Sequence, residues 1–331
     1  MSNSYSPAWW LRGAHAQTLW GKFFRQKRRY HETRVERVET PDGDFLDLHH
    51  LDAPPGAPIL LLLHGLEGSV RSHYIQGLLG EASRRGWRAT ALTFRSCGGE
   101  LNRAPRFYHS GETGDIAFVI DYLLASFPSS SIVAAGSSLG GNVLLKYLGE
   151  RGTTVLPALA GAVAISVPFD LERSSRHIDV GFSRIYQQSF LRSLRNKAAR
   201  KLDEFPHLAS RASLATVSTM FEFDDCFTAP VHGFLNARDY YSQSSSISWL
   251  GTISIPTLLL SAVDDPFLPP EVLEEVRKIA RANPAIDVDF PARGGHVGFV
   301  SGWNPFNPVY YLERRVGEFL AQQLDDRRST T

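Results

Sequence analysis

The chain has 331 residues, with 35 Lys+Arg against 34 Asp+Glu, a formal net charge of +1, 43% hydrophobic and 21% charged residues. So even a charge balance offers no global field for nucleic acid or an acidic partner, and the composition is that of an ordinary soluble globular protein. Its two cysteines, Cys97 and Cys226, lie far apart and supply neither a disulfide framework nor a zinc pattern, which suits a reducing compartment.

The first residues, "MSNSYSPAWWLRGAHAQTLW", lack a basic region followed by an apolar core, so no secretory leader is expected. The longest apolar stretch, "LPALAGAVAISVPF" (156–169), is well short of the roughly 18 residues that span a bilayer. A cytoplasmic location is the expectation. Residues 1–30 form an aromatic and basic arm: Trp9, Trp10, Trp20, Phe23 and Phe24 are interleaved with Arg12, Lys22, Arg25, Lys27, Arg28 and Arg29. The favoured reading is an arm packed over the main domain, aromatics buried and cations solvated. The other is peripheral contact with a membrane surface.

In "HETRVERVETPDGDFLDLHHL" (31–51), two alternating runs flank the turn signal "PDGD", predicting a β-hairpin. "PILLLLHG" (58–65) is a continuous apolar run, expected of a strand buried on both faces. A helix over 75–86, a strand over 87–94, a helix over 112–128, a strand over 131–136, a helix over 139–150 and a buried strand over 159–169 follow. This alternation implies βαβ units, a mainly parallel central sheet and helices on both faces. From 170 to 250 the rhythm stops. The first half of this stretch is rich in Arg and Lys and looks helical; "FEFDDCFTAPVHGFLNARDYYSQSSSISWL" is aromatic and irregular. The rhythm resumes with a strand in 255–267, a helix in 270–284, a strand after 286 and a final helix near 307–325. The expected organisation is therefore an arm (1–30), a first core part (31–169), a helical cap or lid insertion (170–250) and a second core part (251–331).

"GSSLG" (136–140) fits G-x-S-x-G between a buried strand and an amphipathic helix, with Ser138 central. A strand-to-helix turn this tight strains the central residue and needs small neighbours, and it projects the hydroxyl above the C-terminal edge of the sheet. Ser137 should face the interior instead. A serine needs a base, and the base an orienting carboxylate, in chain order Ser, acid, His. Of eleven histidines, His296 in "GGHVGF" (294–299) alone follows the last strand between glycines. Two aspartates end the run "LLLSAVDDP"; Asp265, directly before Pro266, is favoured over Asp264. The oxyanion hole needs two backbone N–H groups, expected from Leu139 and, in "HGLEGS" (64–69), from Leu66. His64 is expected to order that loop; the positions of His73, His109 and His232 could place them at the pocket but support no role. No G-x-G-x-x-G, P-loop, C-x-x-C or metal-ligand spacing occurs, so neither cofactor nor metal is expected.

Together, "WLRGAHAQTLW" (10–20), "LLLHGLEGSVRSHY" (61–74), "FRSCGGELNR" (94–103), "YHSGETGD" (108–115), "AGSSLGGNVLLKYLGE" (135–150), "FDDCFTAPVHGF" (223–234), "LLLSAVDDPFLP" (258–269) and "GGHVGF" resemble the YheT branch of the α/β-hydrolase superfamily over nearly the whole chain. The resemblance implies the α/β-hydrolase fold, a nucleophile at Ser138, a base at His296 and the acid in the Asp264–Asp265 pair. The chain departs from the family's pattern at "FRS", where Ser96 and Cys97 stand. The expected activity is serine-dependent cleavage of small-molecule carboxylic esters, short- to medium-chain or lipid-like, through an acyl-enzyme. Acyl transfer on the same triad and non-catalytic ligand binding on the same fold are the alternatives.

Overall fold

The computed structural model describes residues 5–25 and 31–329. Strands β1 (Arg34–Glu39), β2 (Phe45–Leu51), β3 (Ile59–Leu63), β4 (Arg88–Thr93), β5 (Ile132–Ser137), β6 (Leu159–Ile165), β7 (Thr257–Leu260) and β8 (Ile286–Asp289) form one eight-stranded sheet in the order β1-β2-β4-β3-β5-β6-β7-β8. The hairpin β1–β2 is antiparallel, as is the β2–β4 pairing; every later pairing is parallel. Strands β9 (Val300–Ser301) and β10 (Val309–Tyr310) make a separate two-stranded hairpin.

All five residues of β3, Ile-Leu-Leu-Leu-Leu, are buried, because helices cover both faces of the sheet. Its side chains divide by the two-residue period. Ile59, Leu61 and Leu63 join a core with α3 (Gly114–Ser126), α4 (Leu139–Arg151) and α11 (Pro270–Ala282). Leu60 and Leu62 join the opposite core with α2 (His73–Arg85) and α12 (Tyr311–Arg328). Helix α2 ends where expected, with Gly86 at φ 69° and its N–H closing onto Ala82 and Ser83. The expected strand over 159–169 ends at Ile165, since Ser166 turns the chain with φ 50°.

Between β6 and β7 the chain is helical: α5 (Leu171–His177), α6 (Arg184–Glu204), α7 (Arg211–Thr216), α8 (Met220–Phe223), α9 (Ala229–Val231) and α10 (Ala237–Ser244). The stretch expected to be irregular is thus largely short helices. They are held by end caps, a capping box of Thr219 and Glu222 on α8 and the Asn236 side chain on α10, in place of a long apolar stripe. Leu191, Leu194, Ala198, Phe223 and Phe227 form a core that also takes in Phe107 from the loop before α3.

Helix α1 (Ala14–Trp20) lies in the N-terminal arm and packs on the hairpin β9–β10, with Ala8 N–H donating to Val300 O at 3.0 Å. The arm departs from the expected burial. Trp10 and Trp20 are partly covered, while Trp9, Phe23 and Phe24 are exposed. Lys27, Arg28 and Arg29 lie outside the described residues. Among the described residues no helix is long and apolar enough to cross a membrane.

Candidate active site

The chain order reverses at β3, which sits between β4 and β5, so a crevice opens beyond the C-terminal ends of β3 and β5. Ser138 stands there. It joins β5 to α4 with φ 54° and ψ −120°, a conformation costly for a residue with a Cβ. Its N–H donates to Ile165 O at 2.7 Å and its carbonyl accepts from Asn142 N–H at 3.0 Å, which pins the turn from both sides. Close packing sets the residue types around it. A Cβ on Gly140 would lie 2.5 Å from His64 O, and one on Gly65 would lie 3.0 Å from the Ser138 Cβ. Ser137 is fully buried and its Oγ finds no hydrogen-bond partner among the described residues.

His296 Nδ1–H donates to Asp265 Oδ2 at 2.9 Å, with Oδ1 at 3.1 Å. Both side chains are buried. The neighbouring Asp264 has a different partner, accepting from Gly295 N–H at 2.9 Å, and burial holds its carboxyl above its ordinary range. One aspartate therefore meets the imidazole and the other holds the loop that presents it. Phe267 stacks on the imidazole, 4.1 Å between ring centres, and its N–H donates to Asp265 Oδ1 at 2.9 Å.

Several residues that support this loop carried no sequence signal. Thr18 Oγ1 accepts from His296 N–H at 2.9 Å. Gln17, fully buried, accepts from Val300 N–H at 2.7 Å and donates to Val300 O at 3.0 Å and Leu11 O at 2.8 Å. Ser166 Oγ accepts from Val297 N–H at 3.1 Å. Asn142 ties α4 to the loop before α3 and to the end of α10, donating to Ser110 O and Ser244 O, each at 2.8 Å.

In the loop after β3, the amides flanking Leu66 are committed: Gly65 N–H donates to Tyr74 Oη and Glu67 N–H to Tyr108 Oη, each at 2.9 Å. Leu66 N–H has no acceptor among the described residues. Leu139 N–H lies in the first turn of α4, where intrahelical acceptors are lacking. His64 orders this loop as expected. Its Nδ1–H donates to Gly65 O at 2.8 Å and its Nε2 accepts from Phe94 N–H at 3.1 Å. Burial pushes its pKa down to about 4, so the ring is neutral at pH 7. Glu67 at φ 55° accepts from Tyr108 Oη and Lys197 Nζ, each at 2.8 Å, and so links the loop to α6.

Ser138, Leu139, Leu66 and His296 share the wall of a cavity of about 140 Å³ with apolar side chains of the β6–β7 insertion, among them Phe190, Leu194, Phe223 and Phe227. His109 and His232 also line it, with pKa values pushed down by burial to about 3 and about 2. Asp224 lines it too; burial pushes its carboxyl up to about 6 against hydrogen bonds from Thr228 and Tyr241. His73 is not part of this wall; it packs beneath Gly21 of the arm. No group of three or more His, Cys, Asp or Glu side chains positioned to hold a metal ion occurs among the described residues.

A family model described as alpha/beta hydrolase fold matches residues 58–302, the span holding Ser138, Asp265 and His296. The chain belongs to the α/β-hydrolase family. Its relatives include "Putative esterase YheT" of Escherichia coli (strain K12), 39% identical over 98% of this chain and 95% of that protein. "Phospholipase ABHD3" of Mus musculus is 28% identical over 98% of this chain and 80% of that protein. Among solved structures, an α/β hydrolase neighbour is a Pyrococcus furiosus esterase, with a TM-score of 0.57 at 19% identity, covering 88% of this chain and 91% of that one. The resemblance to the YheT branch is thereby carried across nearly the full length.

Proposed function

We propose that the protein is a serine hydrolase that cleaves small-molecule carboxylic esters, acting in the cytoplasm. The observation that carries this reading is the Asp265 carboxylate on His296 Nδ1, with the imidazole and Ser138 on the wall of one apolar cavity. In that reading Ser138 Oγ attacks the acyl carbon and His296 Nε2 takes its proton. Asp265 fixes the tautomer that leaves Nε2 free and stabilises the imidazolium. The N–H groups of Leu66 and Leu139 meet the oxyanion, each worth about 3 kcal/mol in the transition state. Collapse expels the alcohol, which takes the proton from His296. Water, deprotonated by the same ring, then releases the acid and restores Ser138.

The apolar lining favours an aliphatic acyl group, and relatives named as an esterase and a phospholipase point to the same ester class. Helices α5 to α10 act as a cap that supplies most of this lining and keeps bulk water from the acyl-enzyme. The test is turnover of p-nitrophenyl esters across acyl lengths, beside Ser138→Ala and labelling with a fluorophosphonate. Wild-type protein should hydrolyse at least one chain length and take the label, and the variant should do neither. Turnover retained by Ser138→Ala would remove Ser138 from the chemistry.

A further inference from the structure

Three segments remote in sequence bring large apolar side chains to one exposed region. Trp9, Phe23 and Phe24 come from the arm, Phe182 from the turn before α6 and Ile185 from its first turn, and Trp303 and Phe306 from the tip of the hairpin β9–β10; the last two are 86% and 91% exposed. The region is continuous. Trp9 Nε1–H donates to Trp303 O at 3.2 Å and Trp10 Nε1–H to Gly302 O at 3.0 Å. Trp10, Trp20 and Phe24 pack ring on ring, at 4.7 and 4.4 Å. His15 sits 4.5 Å from the Phe182 ring, which brings α6 alongside the arm.

Apart from two ion pairs at its border, the charge of this region is positive. Residues 5–25, 180–186 and 301–310 contain Arg12, Lys22, Arg25 and Arg184 and no Asp or Glu. Arg25 is bound to Glu313 and Arg184 lies 3.8 Å from Asp179, while Arg12 and Lys22 are exposed. A protein partner would call for matching carboxylates at defined points. Scattered aromatic anchors with interspersed cations suit a surface that is apolar beneath and anionic above. The region also reaches the candidate site through contiguous rings: Phe182 on Tyr186 at 6.1 Å, Tyr186 on Phe267 at 4.9 Å, and Phe267 on His296.

We propose that this aromatic and cationic face docks on an anionic lipid surface and takes apolar esters from it toward the Ser138 cavity. The docking stands on the exposed face alone; the transfer to the cavity rests on the hydrolase reading above.

The experiment is cosedimentation of the full chain with phosphatidylglycerol vesicles and with phosphatidylcholine vesicles, for wild type, Trp303→Ser/Phe306→Ser, Arg12→Glu/Lys22→Glu and Ser138→Ala. Wild type should partition onto the anionic vesicles at least tenfold better than onto the neutral ones, and less as salt is raised. Each double variant should lose at least tenfold in partitioning while keeping wild-type turnover of a soluble short-chain ester, which reports that it is folded. Ser138→Ala should bind as wild type does. Absence of anionic-vesicle binding by the wild type, or unchanged binding by both double variants, overturns the proposal. A wild-type dimer in light scattering that becomes monomeric in Trp303→Ser/Phe306→Ser, without vesicle binding, also overturns it and assigns the face to a second copy. Should Ser138→Ala keep esterase turnover while vesicle binding behaves as described, the hydrolase reading fails and the docking stands.

Discussion

Ser138 holds a conformation that only its surroundings enforce. With φ 54° and ψ −120° its Cβ crowds its own backbone, at a cost of order 1–3 kcal/mol, and the Ile165 and Asn142 hydrogen bonds keep it there. Glycine would adopt this conformation without that penalty. Ser138→Gly should therefore raise stability by about 1 kcal/mol in urea unfolding while abolishing ester turnover. Ser138→Ala, which keeps the Cβ, should lose activity without the gain. A Ser138→Gly variant less stable than wild type would show that the turn holds no such strain. The two adjacent aspartates make a related point. Identical side chains one residue apart are divided between an imidazole and a loop amide, because the chain turns sharply between them.

At the scale of elements, the N-terminal helix α1 and the base loop form one unit. Thr18 takes the His296 amide, and Gln17 takes both backbone groups of Val300. Thr18→Val keeps the shape and removes the acceptor. The His296 amide is then left buried and unpaired, and a small displacement of the ring costs rate more than affinity. The expectation is a fall in kcat of about tenfold with KM nearly unchanged; a change confined to KM would place Thr18 in binding. The same unit marks what a single sequence conveys and what it withholds. The runs around β3, β5 and β6 were legible because burial on both faces demands unbroken apolar residues. Ser138 was legible because its turn is a local pattern of five residues. The pairing of Asp265 with His296, the proposed acid and base, was legible through their places after strands. Thr18 and Gln17 were not, since their partners are 278 and 283 residues away and nothing near an ordinary threonine or glutamine announces a distant amide. The helices of 220–244 were hidden for another reason: they are too short for an apolar period to show, and their capping residues also read as turn formers.

For the molecule as a whole, buried histidines set the response to acid. Burial lowers the pKa of His64 to about 4, of His73 and His109 to about 3 and of His232 to about 2. The unfolded chain takes up these protons near pH 6.5 while the native state refuses them, so their contribution is intact above 6.5 and is lost as pH falls from there toward 4. Asp224 opposes this, as do Asp264, Asp115 and Glu313, whose carboxyls burial also holds above their ordinary range. The Asp224 carboxyl, raised from 3.8 to about 6, favours the native state as pH falls through that interval and offsets about one histidine. Stability should thus drop by about 1.4 kcal/mol per pH unit for each net proton, starting just below pH 6.5. Urea midpoints measured from pH 8 to pH 5 check this; a flat profile would mean that these rings are solvated in the native state. The contact between Ala8 and Val300 has a further consequence, in time instead of energy. On the ribosome the arm emerges long before the loop of His296, so through that interval Ser138, the proposed nucleophile, has no proposed base beside it. Only when the late-made hairpin meets the early-made arm does His296 gain the Thr18 contact, so in the proposed mechanism activity waits on that meeting and the unfinished polypeptide stays inert.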